Sequence, residues 1–363
     1  MFREQLHLSI RNTLGAYTHR IKLDVVRAVV TPAVAFRTKR LIVFLTPGWD
    51  APSGGIISIA SIYRESAAIQ HLHGAKVAIC TIPDEPPLLK YTWFKNRNYL
   101  LDLEKLLKRC GDLDHLMIHI PEYTVNRFSD WLGSHWSKLV NIKDVHLNVM
   151  VQHIDLMDNQ DLNQLSRYGK VTCTTAHESY SDTATRERFG VALHRLSCCN
   201  GPENYVISDY TEKQPLLMVS HDKHPLKEKV ILQIKKALPE LKVQVIENIS
   251  FEEYLDVARR AKWSLTFGEG LDSYFCDPVF CGGVSFAVFN DRFFTPPFKN
   301  LETVYPSWDV LLERLTTDLK RLDEPIAYKR CWGQAWDLLN DLYSNEGFRE
   351  NLRKFYRSEY TFP

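Results

Sequence analysis

The stretch Trp263-Ser264-Leu265-Thr266-Phe267-Gly268-Glu269-Gly270-Leu271-Asp272-Ser273-Tyr274-Phe275-Cys276-Asp277-Pro278-Val279-Phe280-Cys281-Gly282-Gly283 reads as a strand over Trp263–Phe267, a glycine-flanked acid, a helix over about Ser273–Cys281, and a glycine exit into a further apolar run, Val284–Phe289. Gly268 and Gly270 let the backbone come close to a ligand. Residues Leu271, Asp272, Ser273 and Tyr274 open the helix, where free N–H groups suit a phosphate. Glu269 and Asp277 stand about two helical turns apart, so both can face one cleft and accept hydrogen bonds from sugar hydroxyls. Strand, loop, helix and strand in this order are the unit of a parallel, doubly wound sheet.

The same alternation extends outward. Upstream lie a strand Leu216–Ser220, a helix near Leu226–Ala237, a strand Val243–Ile246 and a helix Phe251–Ala261. Before them, Asn200-Gly201-Pro202-Glu203 opens a polar stretch that runs to Gln214 and marks a domain boundary. Further upstream the run Leu41-Ile42-Val43-Phe44-Leu45 suits a strand buried on both faces. The turn Thr46 to Gly55 and a helix Ile56–Gln70 follow it. More apolar runs appear at Val77–Ile82, His115–Ile120, Val145–Val151, Val171–Thr174 and Leu193–Cys198. Downstream, residues 307–358 read as helical, and Trp332 to Phe355 is amphipathic. The expectation is an α/β protein with two Rossmann-like parallel β/α/β domains facing a cleft. Residues 1–206 form the first domain, with a helical arm over 1–38; residues 207–330 form the second; residues 331–363 are a helical tail. Ligands in such sheets bind beyond the carboxyl ends of the strands, so function belongs on the loops after strands in both halves.

Composition narrows the classes. Lys+Arg number 45 against 44 Asp+Glu in 363 residues, a balance that argues against a nucleic-acid binder working by phosphate neutralisation. No apolar run reaches the ~20 residues of a membrane span, and Met1-Phe2-Arg3-Glu4-Gln5 lacks the basic-then-apolar order of a signal peptide. The expected setting is therefore cytoplasmic. The arm carries Arg3, Arg11, Arg20, Lys22, Arg27 and Arg37, with Lys39 just beyond it, which fits a solvated helix packed on the core or a peripheral contact with an anionic membrane surface. Eight cysteines include no CxxC pair and read as reduced, buried thiols. No GxGxxG, P-loop, HExxH or GxSxG occurs. Asp112-Leu113-Asp114 precedes a strand instead of following one and reads as a loop, so no metal is expected.

Glu269, seven residues, Asp277 and then Cys281-Gly282 resembles the E-x7-E signature, closed by a small residue and glycine, of family 4 of the GT-B glycosyltransferases. Asp stands here for the second Glu, and Leu271-Asp272-Ser273-Tyr274 for the usual Phe-Gly-Leu-Pro. The resemblance implies a GT-B fold whose last helices cross back to the first domain. It implies transfer of a sugar from a nucleotide-sugar donor to a glycan or lipid-linked acceptor, retaining and without metal or cofactor. It gives Glu269 the donor-sugar hydroxyls and Asp277 the nucleotide ribose. In Val219-Ser220-His221-Asp222-Lys223-His224-Pro225-Leu226-Lys227 the family's Gly-Arg is absent, which leaves Lys223 and Lys227, with Ser220 and His224, for the leaving diphosphate. His224-Pro225 also resembles the His-Pro pair of some bacterial sialyltransferases, which keeps a CMP-sugar donor open. Gly54 and Gly55 match a glycine pair that admits the diphosphate or acceptor, although a tight turn explains them equally. His119 and His153 fall where the family has histidines facing the donor sugar, and Asp155 orients His153 or meets the acceptor. The implied setting is bacterial surface polysaccharide synthesis. Three alternatives stand beside this: an inverting enzyme with His153 or Asp155 as base, a nucleotide-sugar epimerase of the same fold, and a non-catalytic subunit.

Overall fold

A computed structural model describes residues 18, 20–31, 33–35, 38–51 and 53–363. Within the arm, residues 18, 20–31 and 33–35 are helical; Arg3, Arg11 and Arg37 lie outside the described residues. Arg27 is buried there, and its Nε donates to the Leu100 carbonyl at 2.9 Å.

The apolar runs become strands because helices cover both faces of each sheet. In the first sheet β1 is Arg40–Thr46, β2 Lys76–Thr81, β3 His115–Pro121, β4 Asp144–Val151, β5 Lys170–Thr175 and β6 Ala192–Arg195, in spatial order β2-β1-β3-β4-β5-β6. Leu41 sits opposite Lys76 on one side and Leu116 on the other, both in parallel register. In the second sheet β7 is Gln214–Val219, β8 Lys242–Val245, β9 Ala261–Leu265, β10 Val284–Val288 and β11 Val304–Tyr305, ordered β11-β10-β9-β7-β8. The sheets change between β6 and β7, the interval that holds residue 206. By compactness the chain divides into Met1–Cys173 and Thr174–Pro363.

The longer helices are α1 (Gly54–Ala68), α2 (Leu103–Cys110), α3 (Val125–His135), α4 (Lys227–Ala237), α5 (Phe251–Arg260), α6 (Ser273–Phe280), α7 (Trp308–Leu322), α8 (Pro325–Tyr343) and α9 (Asn345–Tyr356). Leu217, Val219, Trp263, Leu265 and Phe286 pack one face of the second sheet against Val230 and Ile234 of α4 and Leu311, Leu315 and Leu319 of α7. Leu216 and Met218 pack the other face against Val257 and Ala258 of α5. The chain end returns to β6, where Leu193 pairs with Phe362 and His194 Nε2 lies 2.7 Å from the Asn351 carbonyl. Seven of the eight cysteines are buried and Cys198 is half-buried. Among the described residues no helix is long and apolar enough to cross a membrane.

In both sheets the strand order reverses at the first strand. β1 has β2 on one side and β3 on the other, and β7 has β8 on one side and β9 on the other. The following connections leave in opposite directions, and a crevice opens beyond the carboxyl ends of such strands. These two places position the candidate site residues.

Candidate functional site

At the β7/β9 reversal the two quoted loops meet. Ser220, fully buried, follows β7; its N–H donates to the Leu265 carbonyl and its Oγ accepts from Phe267 N–H at 2.9 Å. The loop after β7 is thereby fastened to the loop after β9. Lys227 opens α4, and its ammonium donates to the carbonyls of Ser220 (2.6 Å) and Asp222 (3.1 Å). It braces the loop, while Lys223 stays exposed. The His224 ring stacks on Trp308 with centroids 3.9 Å apart, and Phe267 lies parallel to the same indole at 5.1 Å. His221 Nδ1 lies 2.9 Å from the Tyr274 hydroxyl.

Gly268 is exposed, and a Cβ there would stand 2.8 Å from Asp222 Oδ2 and 3.1 Å from Asp272 Oδ2. A side chain there would push the Asp222 carboxylate aside. Gly270 has φ +92°, and a Cβ would strike Phe294, so the turn beside Glu269 requires glycine at this position. Burial, followed by Asp272 and Asp222, pushes the Glu269 carboxyl up to about 7. Asp272 caps α6: its Oδ1 accepts from Phe275 N–H at 3.1 Å and its Oδ2 from the Thr266 hydroxyl at 2.6 Å. The cap meets the Phe275 N–H, one residue beyond the Leu271, Asp272, Ser273 and Tyr274 amides that suit a phosphate. Leu271 is buried and Ser273 exposed.

Asp277 does not share this surface. It is 1% exposed inside α6, with Asn200 Nδ2 at 3.1 Å and the Tyr205 hydroxyl at 2.7 Å from its Oδ1. Burial pushes its carboxyl up to about 6, against the pull of hydrogen bonds from Tyr205, Tyr254 and Asn200.

At the β1/β3 reversal, Ser53 precedes α1 without a side-chain capping bond, and Gly54 faces open space. Gly55 is held by Gln152, whose Nε2 donates to its carbonyl at 3.2 Å and whose Oε1 would lie 2.4 Å from any Cβ. His119 is 0% exposed, parallel to Phe44 at 4.2 Å, and Asn148 Nδ2 is 3.0 Å from its Nδ1. Burial holds its imidazole well below the usual histidine range. His153 is part-exposed, with Nδ1 3.9 Å from Asp155 Oδ2. Glu122, buried at the end of β3, accepts from the His153 N–H at 3.0 Å, and burial pushes its carboxyl up to about 7.

Sequence reading missed Asp222, Trp308, Glu122 and Gln152. Asp222 lay within the quoted loop and Glu122 directly after a strand end; Trp308 is distant in sequence and carried no signal. Asp112-Leu113-Asp114 does lie ahead of β3, where Lys143 pairs with Asp114 at 2.8 Å. Among the described residues no group of three or more His, Cys, Asp or Glu can hold a metal ion.

Neither a scan against protein-family profiles nor a search among curated proteins finds a match. Solved structures do match. An alpha-glucosyltransferase in complex with UDP-glucose and DNA containing an abasic site aligns with TM-score 0.55 at 13% identity, over 87% of this chain and 98% of that one. Anabaena HepE in complex with UDP-glucose aligns with TM-score 0.53 at 12% identity, over 88% and 99%. Sucrose-phosphate synthase from Thermosynechococcus elongatus aligns with TM-score 0.51 at 12% identity, over 88% and 99%. The fold is GT-B. Two of these three neighbours were solved with UDP-glucose. In a GT-B chain the β7/β9 and β1/β3 reversals are the switch points at which ligands of doubly wound sheets bind.

Proposed function

We propose that this GT-B chain is a glycosyltransferase that takes its sugar from a nucleotide-sugar donor held at the β7/β9 switch point. The observation that carries the reading is the meeting of the 219–227 and 266–273 loops, with Glu269 between two glycines and beside Asp222 and Asp272. Glu269 accepts hydrogen bonds from donor-sugar hydroxyls. Lys223, exposed beside the loop that Lys227 braces, stabilises the leaving diphosphate. Trp308 and Phe267 fix the His224 ring at the same end. Gly54 and Gly55, opening α1, admit the acceptor side, and His153 and Asp155 follow Gln152, which holds Gly55, on the loop after β4. Transfer proceeds without metal or cofactor and with retention. The acceptor is a glycan or lipid-linked glycan of bacterial surface polysaccharide, met in the cytoplasm with the 1–38 arm against the inner membrane surface. The domain limits 1–206, 207–330 and 331–363 are part of this proposal. One neighbour was solved with DNA, but 45 basic against 44 acidic residues give this chain little electrostatic reason to hold a duplex.

The test is a thermal-shift screen of wild type and Glu269→Ala with UDP, GDP, ADP, CMP and dTDP and their sugar donors. One nucleotide family raises Tm, and the further rise given by the sugar disappears in the variant. Melting unmoved by every nucleotide at millimolar concentration removes the donor site and turns the search to a non-catalytic role.

A further inference from the structure

The second half of the segment 263–283 touches protein, not open space. Asp277 meets Asn200 and Tyr205, as described. The Cys281 carbonyl accepts from Ser208 N–H at 3.0 Å. Gly282 has φ +89°, and a Cβ there would stand 2.3 Å from the Ser208 carbonyl oxygen. The Tyr205 ring rests on Phe280 with centroids 5.3 Å apart. Every one of these partners belongs to the segment that joins the two sheets. The far side of that segment is held as well: Asn345, first residue of α9, accepts at Oδ1 from Gly201 N–H at 3.1 Å, and its Nδ2 donates to Asn204 Oδ1 at 3.2 Å.

From these contacts we infer that Asp277, Cys281 and Gly282 form a seat for residues 200–208, and that Asp277 is a positioning residue for the donor loop and no ligand of the ribose. The chemistry accounts for an acid at this place. A part-buried tyrosine hydroxyl and a part-buried amide NH2 both find an acceptor in one carboxylate, and the hydroxyl also lies 2.7 Å from Asn200 Oδ1. A ribose hydroxyl would have to displace one of these partners from a carboxylate that is 1% exposed. α6 follows Glu269 directly, so fixing its far end against residues 200–208 sets where Glu269 stands. The positioning half of the inference rests on the donor-site reading; the seat itself does not.

Two measurements separate the parts. The first needs no ligand: hydrogen exchange followed by mass spectrometry on peptides covering 198–209, in wild type, Asp277→Asn, Tyr205→Phe and, as a control, Glu269→Ala. Exchange across 201–205 quickens at least tenfold in the first two variants and stays as in wild type in the control; unchanged exchange in both variants overturns the seat. Tyr205→Phe removes one hydroxyl only, so it decides this arm even if Asp277→Asn does not fold. The second compares affinities for UDP, 2′-deoxy-UDP and UDP-glucose. The UDP to 2′-deoxy-UDP ratio stays within twofold of wild type in Asp277→Asn, while the extra affinity given by glucose falls at least threefold. If that ratio collapses to one in the variant from several-fold in wild type, Asp277 holds the ribose and the inference is overturned. If UDP fails to bind wild type, the donor reading fails for that base, and the exchange arm still decides the seat.

Discussion

Glu269 illustrates how a loop acid is tuned by its neighbours. Burial first, and then Asp272 and Asp222, lift its carboxyl from an ordinary 4.5 to about 7. The folded chain keeps this proton up to about pH 7, whereas the unfolded chain releases it near 4.5. Below pH 4.5 the two states bind it alike; stability drains away as pH rises from there to 7, and the deficit is complete above 7. Glu269→Gln removes the deficit. After discounting for partial exposure, the variant is more stable than wild type by about 1–2 kcal/mol at pH 8 and equal to it near pH 4. Urea unfolding at both pH values checks this, and a difference that does not change with pH would count against the burial argument. The position of Glu269 was legible because glycines flank it after an apolar run. The environment of His119 was not: a strand-end histidine looks the same in sequence whether it faces a crevice or, as here, lies inside a central strand against Phe44.

At the scale of the element, α6 begins and ends on different terms from those its sequence suggests. The glycines, the spacing and the closing Cys281-Gly282 placed the helix within one residue of its observed bounds. What they could not carry is who receives each polar group. Asp272 turns inward to cap Phe275 and to accept from Thr266, and Asp277 turns toward residues 200 and 205, seventy-odd positions upstream. Such partners are set by tertiary contacts that no local pattern records. Asp272→Ala removes the cap and leaves the Thr266 hydroxyl without that acceptor, a loss of about 1–2 kcal/mol. Urea denaturation at pH 7 measures it, and a loss below about 0.3 kcal/mol would show that the cap contributes nothing.

Over the whole molecule, both sheets could be read from apolar runs because strands covered on both faces are continuously apolar. The reading fell short where runs are brief: β11 has two residues, and β6 ends at Arg195, before the apolar run does. Strand order is a further property that runs do not contain. It is the placing of β9 beside β7, instead of β8 beside β9, that brings Ser220 to Phe267 and fastens the two loops together. The charge balance acts at this scale too. No fluorescence-anisotropy change on a labelled 20-base-pair duplex is expected at 150 mM salt and micromolar protein. Saturable binding that weakens steeply with salt would instead bring a DNA acceptor forward.

The distribution of thiols gives this chain a built-in set of local clocks. Cys80, Cys110 and Cys173 lie in residues 1–173, and Cys198, Cys199, Cys276, Cys281 and Cys331 in the remainder. With burial lifting the Cys281 thiol to about 12 and the Cys110 thiol to about 11, an alkylating reagent must wait for the fold to open around each of the seven buried sulfurs, whereas half-buried Cys198 is the first in reach. The order in which the eight are labelled under mild denaturant then gives, from the natural sequence and without an introduced probe, the order in which the parts of this protein come undone.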